Sequence, residues 1–205
     1  MKTNDELVQE LLERLKKLNY IHTRDIPNIE LYMDQVTTFM DQHLSGGKRH
    51  DEDKVLTKTM INNYAKNDLL PPPVKKKYSR DHLILLAFIY YFKGFLSIGD
   101  IQVLLAPLSE KYFTEDHDKL DHIYNEIVKI EKLQLLELCK EVESREELSK
   151  RAFKNAPEDE REYLQLFSFV CMLSFDVYLK KQMIEQIIDE MREEKKEKAP
   201  EKDKK

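Results

Sequence analysis

Apolar residues recur at spacings of three and four along most of the chain, a period that commits a sequence to amphipathic helices before any motif is considered. Leu7, Leu11, Leu12, Leu15 and Leu18 share one face of a first helix that Asn4 or Asp5 can cap. Within Ile29 to Leu44, Leu31, Met33, Val36, Phe39, Met40 and Leu44 mark a second. The glycine pair Gly46-Gly47 and the charged run after it read as a mobile loop. Thr57 can cap a third helix through Met60, Ile61 and Tyr64, and Pro71-Pro72-Pro73 forbids its continuation. Ser79 or Asp81 opens a fourth with Leu83, Leu86 and Ile89. Ser97, with Asp100 three residues on, forms a capping box for a fifth that Pro107 is expected to close. Longer helices follow at about Glu115 to Val142, Arg145 to Phe153 and Glu158 to Lys196. The expected class is all-α, predominantly helical.

Composition removes several kinds of chemistry. Four glycines in 205 residues leave no material for a dinucleotide fingerprint or a P-loop, both of which set glycines beside phosphate. Neither a GxSxG elbow nor an HExxH helix occurs, so no enzyme activity and no cofactor are expected. His117 and His122, amid Glu115, Asp116, Asp118 and Asp121, lie five apart, which turns their rings about 140° from each other on a helix; no metal site is expected. Cys139 and Cys171 cannot form a disulfide framework. They read as buried, inert thiols in a reducing cytosol, which gives a cytoplasmic expectation. The N-terminus lacks a continuous apolar core, and the apolar runs Leu83–Phe92 and Tyr163–Leu179 fall short of the roughly 20 residues of a membrane span, so no membrane partner is expected.

Charge is uneven. Between Lys54 and Lys93 stand eight Lys or Arg against two Asp, a local net of +6, in a chain whose formal charge is -5; the remainder carries -11. Clustered cations of this kind face phosphate well, because each contact releases condensed counterions.

The positive stretch also carries a pattern. On the third helix Met60, Ile61 and Tyr64 supply an inner side, while Lys58, Thr59, Asn62, Asn63 and Lys66 supply an outer one that could reach base edges in a major groove. A basic hairpin-like strand follows, with Lys75, Lys76, Lys77, Tyr78 and Arg80 set to hold phosphates. A solvated helix face and a solubilising strand edge account for the same residues without DNA. Tyr64 and Tyr78 serve equally as packing residues or phosphate contacts.

In order, Tyr64, Leu70-Pro71, Tyr78-Ser79-Arg80-Asp81 leading to Leu83, Leu86 and Ile89, and Leu96-Ser97-Ile98-Gly99-Asp100-Ile101 resemble the MerR-like winged helix-turn-helix regulators over about fifty residues. The match departs from that pattern where Asn62 and Asn63 replace an Arg-Tyr pair, where Asp68 replaces a glycine, and where Ser45 to Val55 lengthens the turn. More closely, the segments LYMDQVTTFMDQHL and LTKTMINNYAKNDLLPPPVKKKYSRDHL are similar to the uncharacterised YkrK-like family of Gram-positive bacteria, described only as a domain of unknown function, over roughly residues 26 to 108. The resemblance implies a MerR-like winged helix-turn-helix with a small wing, and a sequence-specific, double-stranded-DNA-binding transcriptional regulator. The alternative is a protein-interaction adaptor on the same fold.

The organisation expected is an amphipathic arm at 1–25, a DNA-binding domain at 26–108, a helical dimerisation or effector region at 109–192 and a disordered charged tail at 193–205. In the last helix Val170, Val177, Ile184 and Met191, with Leu166, Leu173 and Ile187, form a heptad seam that predicts a homodimer. The aromatic residues Phe167, Phe169, Phe175 and Tyr178 either belong to that seam or line a pocket for an unidentified small-molecule effector.

Overall fold

The computed structural model describes residues 2–17, 20–114 and 118–198. It is mostly helical: α1 (Asn4–Lys16), β1 (Leu31–Tyr32), α2 (Met33–Leu44), α3 (Lys58–Lys66), β2 (Lys77–Tyr78), α4 (Arg80–Phe92), α5 (Ile98–Tyr112), α6 (Asp118–Arg151) and α7 (Glu158–Lys198). Among the described residues a single sheet pairs β1 with β2 antiparallel, Leu31 opposite Tyr78 and Tyr32 opposite Lys77.

Two compact units share these elements, and the division falls inside α6 and α7. One comprises Met1–Leu18 with Ile127–Lys181, the other Asn19–Glu126 with Gln182–Lys205.

In the first unit α1 is not a separate arm. Its buried Val8 and Leu12 pack against Cys139 and Val142 of α6 and Phe169 of α7, with Leu135, Leu138, Leu166, Met172 and Leu173 around them. An amphipathic helix of thirteen residues gains most of its stability from such packing rather than from propensity. Its cap is Thr3, not Asn4 or Asp5: the Thr3 hydroxyl accepts the Glu6 N–H at 3.2 Å and the Glu6 carboxylate accepts the Thr3 N–H at 2.9 Å.

In the second unit α4 is the hub. Every residue from Asp81 to Ile89 is buried, as a helix apolar on all sides must be. Ile61 of α3, Leu69, Leu70, Ile101 and Leu105 of α5, Leu120 and Tyr124 of α6 and Ile188 of α7 are buried in the same unit. Within it Arg192 bonds Asp100, whose carboxyl is held below the usual carboxylate range by the Ser97 hydroxyl and by Arg192.

Several expected boundaries move. Thr57 caps α3 and Ser97 with Asp100 caps α5 as expected. Pro107, however, lies inside α5, which continues to Tyr112: proline removes one N–H but its own φ is helical, and the next turns close, Phe113 N–H reaching Ser109 O at 3.2 Å. The break expected near Val142 to Arg145 is absent, since that polar run contains neither glycine nor proline; Arg145 there pairs with Glu141 and Asp176. The last helix extends to Lys198, so residues 193–198 of the expected tail are helical, and the rest of it lies outside the described residues.

The Ser45 to Asp53 stretch, expected to be a mobile loop, is anchored at both of its ends. Tyr90 donates its hydroxyl to Leu44 O at 3.2 Å, Lys48 pairs with Asp41 at 2.6 Å, Lys93 bonds Val55 O, and Val55 and Leu56 are buried. A Cβ at Gly47 would stand 2.8 Å from the Tyr90 hydroxyl oxygen. Gly47→Ala is therefore expected to break the Tyr90–Leu44 bond and lower the urea midpoint by an amount equivalent to about 1 kcal/mol. Gly46→Ala, which meets nothing within 4 Å, should leave it unchanged.

Candidate nucleic-acid interface

The nine residues of α3 have one apolar side, and the sequence dictates which. Ile61 and Tyr64, three apart, are buried, while Lys58, Thr59, Asn62, Asn63 and Lys66 are exposed. Met60, expected on the inner side, is exposed instead, because it precedes Ile61 by a single position and so projects about 100° away. The helix ends as local chemistry requires. Asn67 donates its backbone and side-chain N–H groups to Asn63 O at 3.0 and 2.8 Å. Asp68 takes φ 53°, a left-handed conformation in which Asp is among the better-tolerated non-glycine residues. The N–H groups of Leu69 and Leu70 then close on Tyr64 O. The aspartate standing where a glycine was expected thus performs the same turn.

After the prolines the chain makes a tight hairpin. Val74 and Lys77 form an antiparallel bridge, Lys77 N–H meeting Val74 O at 2.9 Å, with Lys75 at φ 50° and Lys76 at φ 64° between them. Positive φ at both central positions marks a type I′ turn, the geometry that matches the twist of two antiparallel strands. Two lysines in that conformation are strained relative to glycine, and both are exposed at the tip of the turn.

The α3 face and the hairpin converge on the stretch around β1. Lys58 forms an ion pair with Asp34, and Lys77 sits 3.6 Å from Glu30 with its ammonium 5.7 Å from the Tyr32 ring centroid. These acids temper the positive surface. Among the described residues no acid pairs with Lys66, Lys75 or Lys76.

Three of the residues expected at the interface lie inside. Tyr64 and Tyr78 are 6% and 3% exposed, and burial pushes both hydroxyls above their ordinary pKa. They are packing residues, Tyr78 lying edge-on to His82 at 5.3 Å. Arg80 is likewise committed internally. Its Nε lies 2.9 Å from both carboxylate oxygens of Asp121, Nη2 lies 2.7 Å from Asp121 Oδ2 and 2.5 Å from Thr23 O, and Nη1 lies 2.5 Å from Ile26 O. With 13% of its side chain exposed, it ties α4 to α6 and to the 3-10 turn Thr23–Asp25. The sequence signal for this role was slight, because Asp121 stands 41 positions away.

His82 fixes the start of α4. The Ser79 N–H donates to Nδ1 at 2.9 Å, which makes Nδ1 an acceptor, so Nε2 carries the hydrogen and donates it to Pro71 O at 3.1 Å. The neutral ring therefore links the start of the proline run to the cap of α4. Burial lowers its pKa to about 4, against bonds to the Pro71 and Pro72 carbonyls that favour the charged form.

Other expectations fall elsewhere. His122 is exposed on α6, and Glu115, Asp116 and His117 lie outside the described residues. Cys139 is buried, but Cys171 is exposed. Of the four aromatic residues considered for an effector pocket, Phe169 is buried and the other three are exposed. The first unit holds a cavity of about 250 Å³ lined by Phe169, Leu166, Val8 and the polar Glu146, Lys150 and Gln165 among others, and Phe167, Phe175 and Tyr178 do not contribute to it.

Compared with known proteins, residues 21–127, just over half of the chain, match the family model described as a domain of unknown function, DUF1836. No curated protein and no solved structure matches. The matched stretch nearly coincides with the Asn19–Glu126 segment of the second unit, and it reaches past the expected limit of 108 far enough to include Asp121, Tyr124 and Asn125. All three contact that unit: Asp121 holds Arg80, Tyr124 packs edge-on to Phe88 at 5.4 Å, and Asn125 accepts from the Thr23 hydroxyl at 2.9 Å.

Proposed function

The chain belongs to the DUF1836 domain family, and from that premise we propose that it is a non-catalytic, sequence-specific DNA-binding transcriptional regulator of MerR-like type, acting in the bacterial cytoplasm. In this reading α3 enters the major groove, and the Val74–Lys77 hairpin is a wing that follows the neighbouring phosphates. One observation carries the reading. The asparagines and lysines of α3 face outward together, and the ion pairs of Lys58 with Asp34 and of Lys77 with Glu30 draw that face and the lysine-tipped turn to the same few residues around β1.

With Tyr64, Tyr78 and Arg80 committed to the interior, the contact set reduces to Lys58, Thr59, Asn62, Asn63, Lys66, Lys75, Lys76 and Lys77. Asn62 or Asn63 can pair with adenine through two hydrogen bonds, which is worth on the order of 1–3 kcal/mol of discrimination. The lysines supply affinity without sequence preference.

Selection of bound fragments from random duplex DNA, followed by titration at several salt concentrations, tests this. Neutralising Lys75 and Lys76 together is expected to weaken binding to all sequences and to reduce the slope of log K against log salt by roughly 2. Asn62→Ala or Asn63→Ala should erode preference for the selected site while leaving non-specific binding intact. If no duplex binds, or binding ignores all four substitutions, the adaptor reading takes over. Ile29, Tyr32 and Val74 favour that second reading, since three large apolar side chains stand exposed beside the same turn.

A further inference from the structure

The lysines of the candidate interface are of two kinds. Lys66, Lys75 and Lys76 pair with no acid among the described residues, whereas Lys58 is held by Asp34 and Lys77 lies 3.6 Å from Glu30.

Local structure sets both acids in place. β1 alternates as a strand must, so Leu31 is buried while Glu30 and Tyr32 on either side of it are exposed. Tyr32 stands opposite Lys77 in the strand pair, and its ring and the Glu30 carboxylate together keep the Lys77 ammonium beside β1. Asp34 falls in the first turn of α2, where the helix dipole favours a carboxylate. Lys58 has no such local reason. It is the first residue of α3, a position that the dipole disfavours for a cation, and the first turn of that helix contains no acid. An anion from outside the helix has to offset this, and in the free chain that anion is Asp34.

Both pairs are open to exchange. Side-chain exposure is 60% and 76% for Lys58 and Asp34, and 37% and 51% for Lys77 and Glu30, so a phosphate can reach either lysine from solvent. Exposed ion pairs of this kind are weak enough to be displaced.

We propose that Glu30 and Asp34 stand in for two DNA phosphates, holding Lys58 and Lys77 until a duplex takes their place. The inference rests on the DNA-binding reading and adds to it two residues that oppose binding. When a phosphate takes Lys58, the DNA sheds a counterion but the freed Asp34 acquires one, so the exchange adds little to the salt dependence. Lys66, Lys75 and Lys76 carry no such offset. The slope of log K against log salt is thereby held to roughly -2.7, the value for three phosphates, rather than roughly -4.5 for five. Non-specific attachment, which is electrostatic, is what the acids restrain; the base contacts of Asn62 and Asn63 involve no ion exchange.

The test titrates the full-length protein with a fluorescent mixed-sequence duplex of about 20 base pairs between about 0.05 and 0.2 M salt. Glu30→Gln with Asp34→Asn is expected to steepen the slope from roughly -2.7 to roughly -4.5 and to tighten binding roughly tenfold at the low-salt end. Glu30→Gln alone lies outside every helix and should give about half of that change in slope, independent of any loss at the start of α2. In a Lys58→Met background Asp34→Asn should no longer steepen the slope, because no lysine is released. Glu13→Gln removes the same charge from an acid paired with Lys16 in the other unit and should change nothing. A chain that binds duplex with a slope indifferent to both acid substitutions overturns the proposal and leaves the DNA reading standing. So does a chain in which Glu13→Gln steepens the slope equally, since total charge would then be the cause. If neither the unaltered nor the doubly substituted chain binds any duplex, the DNA reading fails and this inference with it.

Discussion

Arg80→Ala is expected to destabilise the protein by about 3 kcal/mol, seen as a lower urea midpoint with an unchanged slope. Removing the guanidinium strands the Asp121 carboxylate, 21% exposed at its side chain, and frees the Thr23 and Ile26 carbonyls at once. A planar fork serves five acceptor atoms here, both Asp121 oxygens, the Thr23 and Ile26 carbonyls and Asn28 Oδ1, which a lysine ammonium cannot span, so Arg80→Lys should recover little. Asp121→Asn should cost less than Arg80→Ala, and the double variant should cost less than the two combined, as for residues in one network. Had Arg80 been a phosphate contact, its loss would weaken DNA binding and leave the urea midpoint alone. An unchanged midpoint would therefore return Arg80 to the interface and remove its structural role.

The second large effect is acid sensitivity centred on His82. Its folded-state pKa of about 4 lies below the ordinary 6.5, so between these values the unfolded chain binds the extra proton and the folded chain does not. Stability attributable to His82 is then fully present above about pH 6.5 and is lost as pH falls toward 4, by on the order of 3 kcal/mol. The cause is burial, reinforced by geometry: a proton on Nδ1 would point at the Ser79 N–H that already donates to it. His82→Gln is expected to flatten the decline between pH 6.5 and 4 relative to wild type, whatever it does to stability at pH 7. Carboxylates titrate over the same range in both proteins, so the difference between the two curves isolates the ring. Parallel curves would refute the assignment.

Both effects concern residues whose importance their neighbours in the chain do not announce. Arg80 belongs to a basic run beside a hairpin, which is why it reads as a phosphate ligand; only the approach of α6 gives it Asp121. His82 stands in the first turn of an apolar helix, and its link to Pro71 appears once the proline run folds back on α4. The lysines at the turn tip and the asparagines of α3 kept the exposure expected of them, because a surface face needs nothing distant to define it.

The amino-acid order alone determined that the chain is helical, where α3 and α5 begin, and that α3 is apolar inside and hydrogen-bonding outside. Those features depend on residues three or four apart, within reach of one another in any helix. Tertiary structure decided the rest. It joined the N-terminal helix to α6 and α7, drew the start of α6 into the unit that the family match spans, and carried α5 past Pro107. It also chose which side of α7 was buried, leaving Val170 and Val177 exposed where a single seam had been expected and Cys171 exposed where a buried thiol had been. The physical reason is common to all of these: a periodic pattern says that a face must be covered, but what covers it is set by segments tens of residues away, whose approach no local spacing encodes.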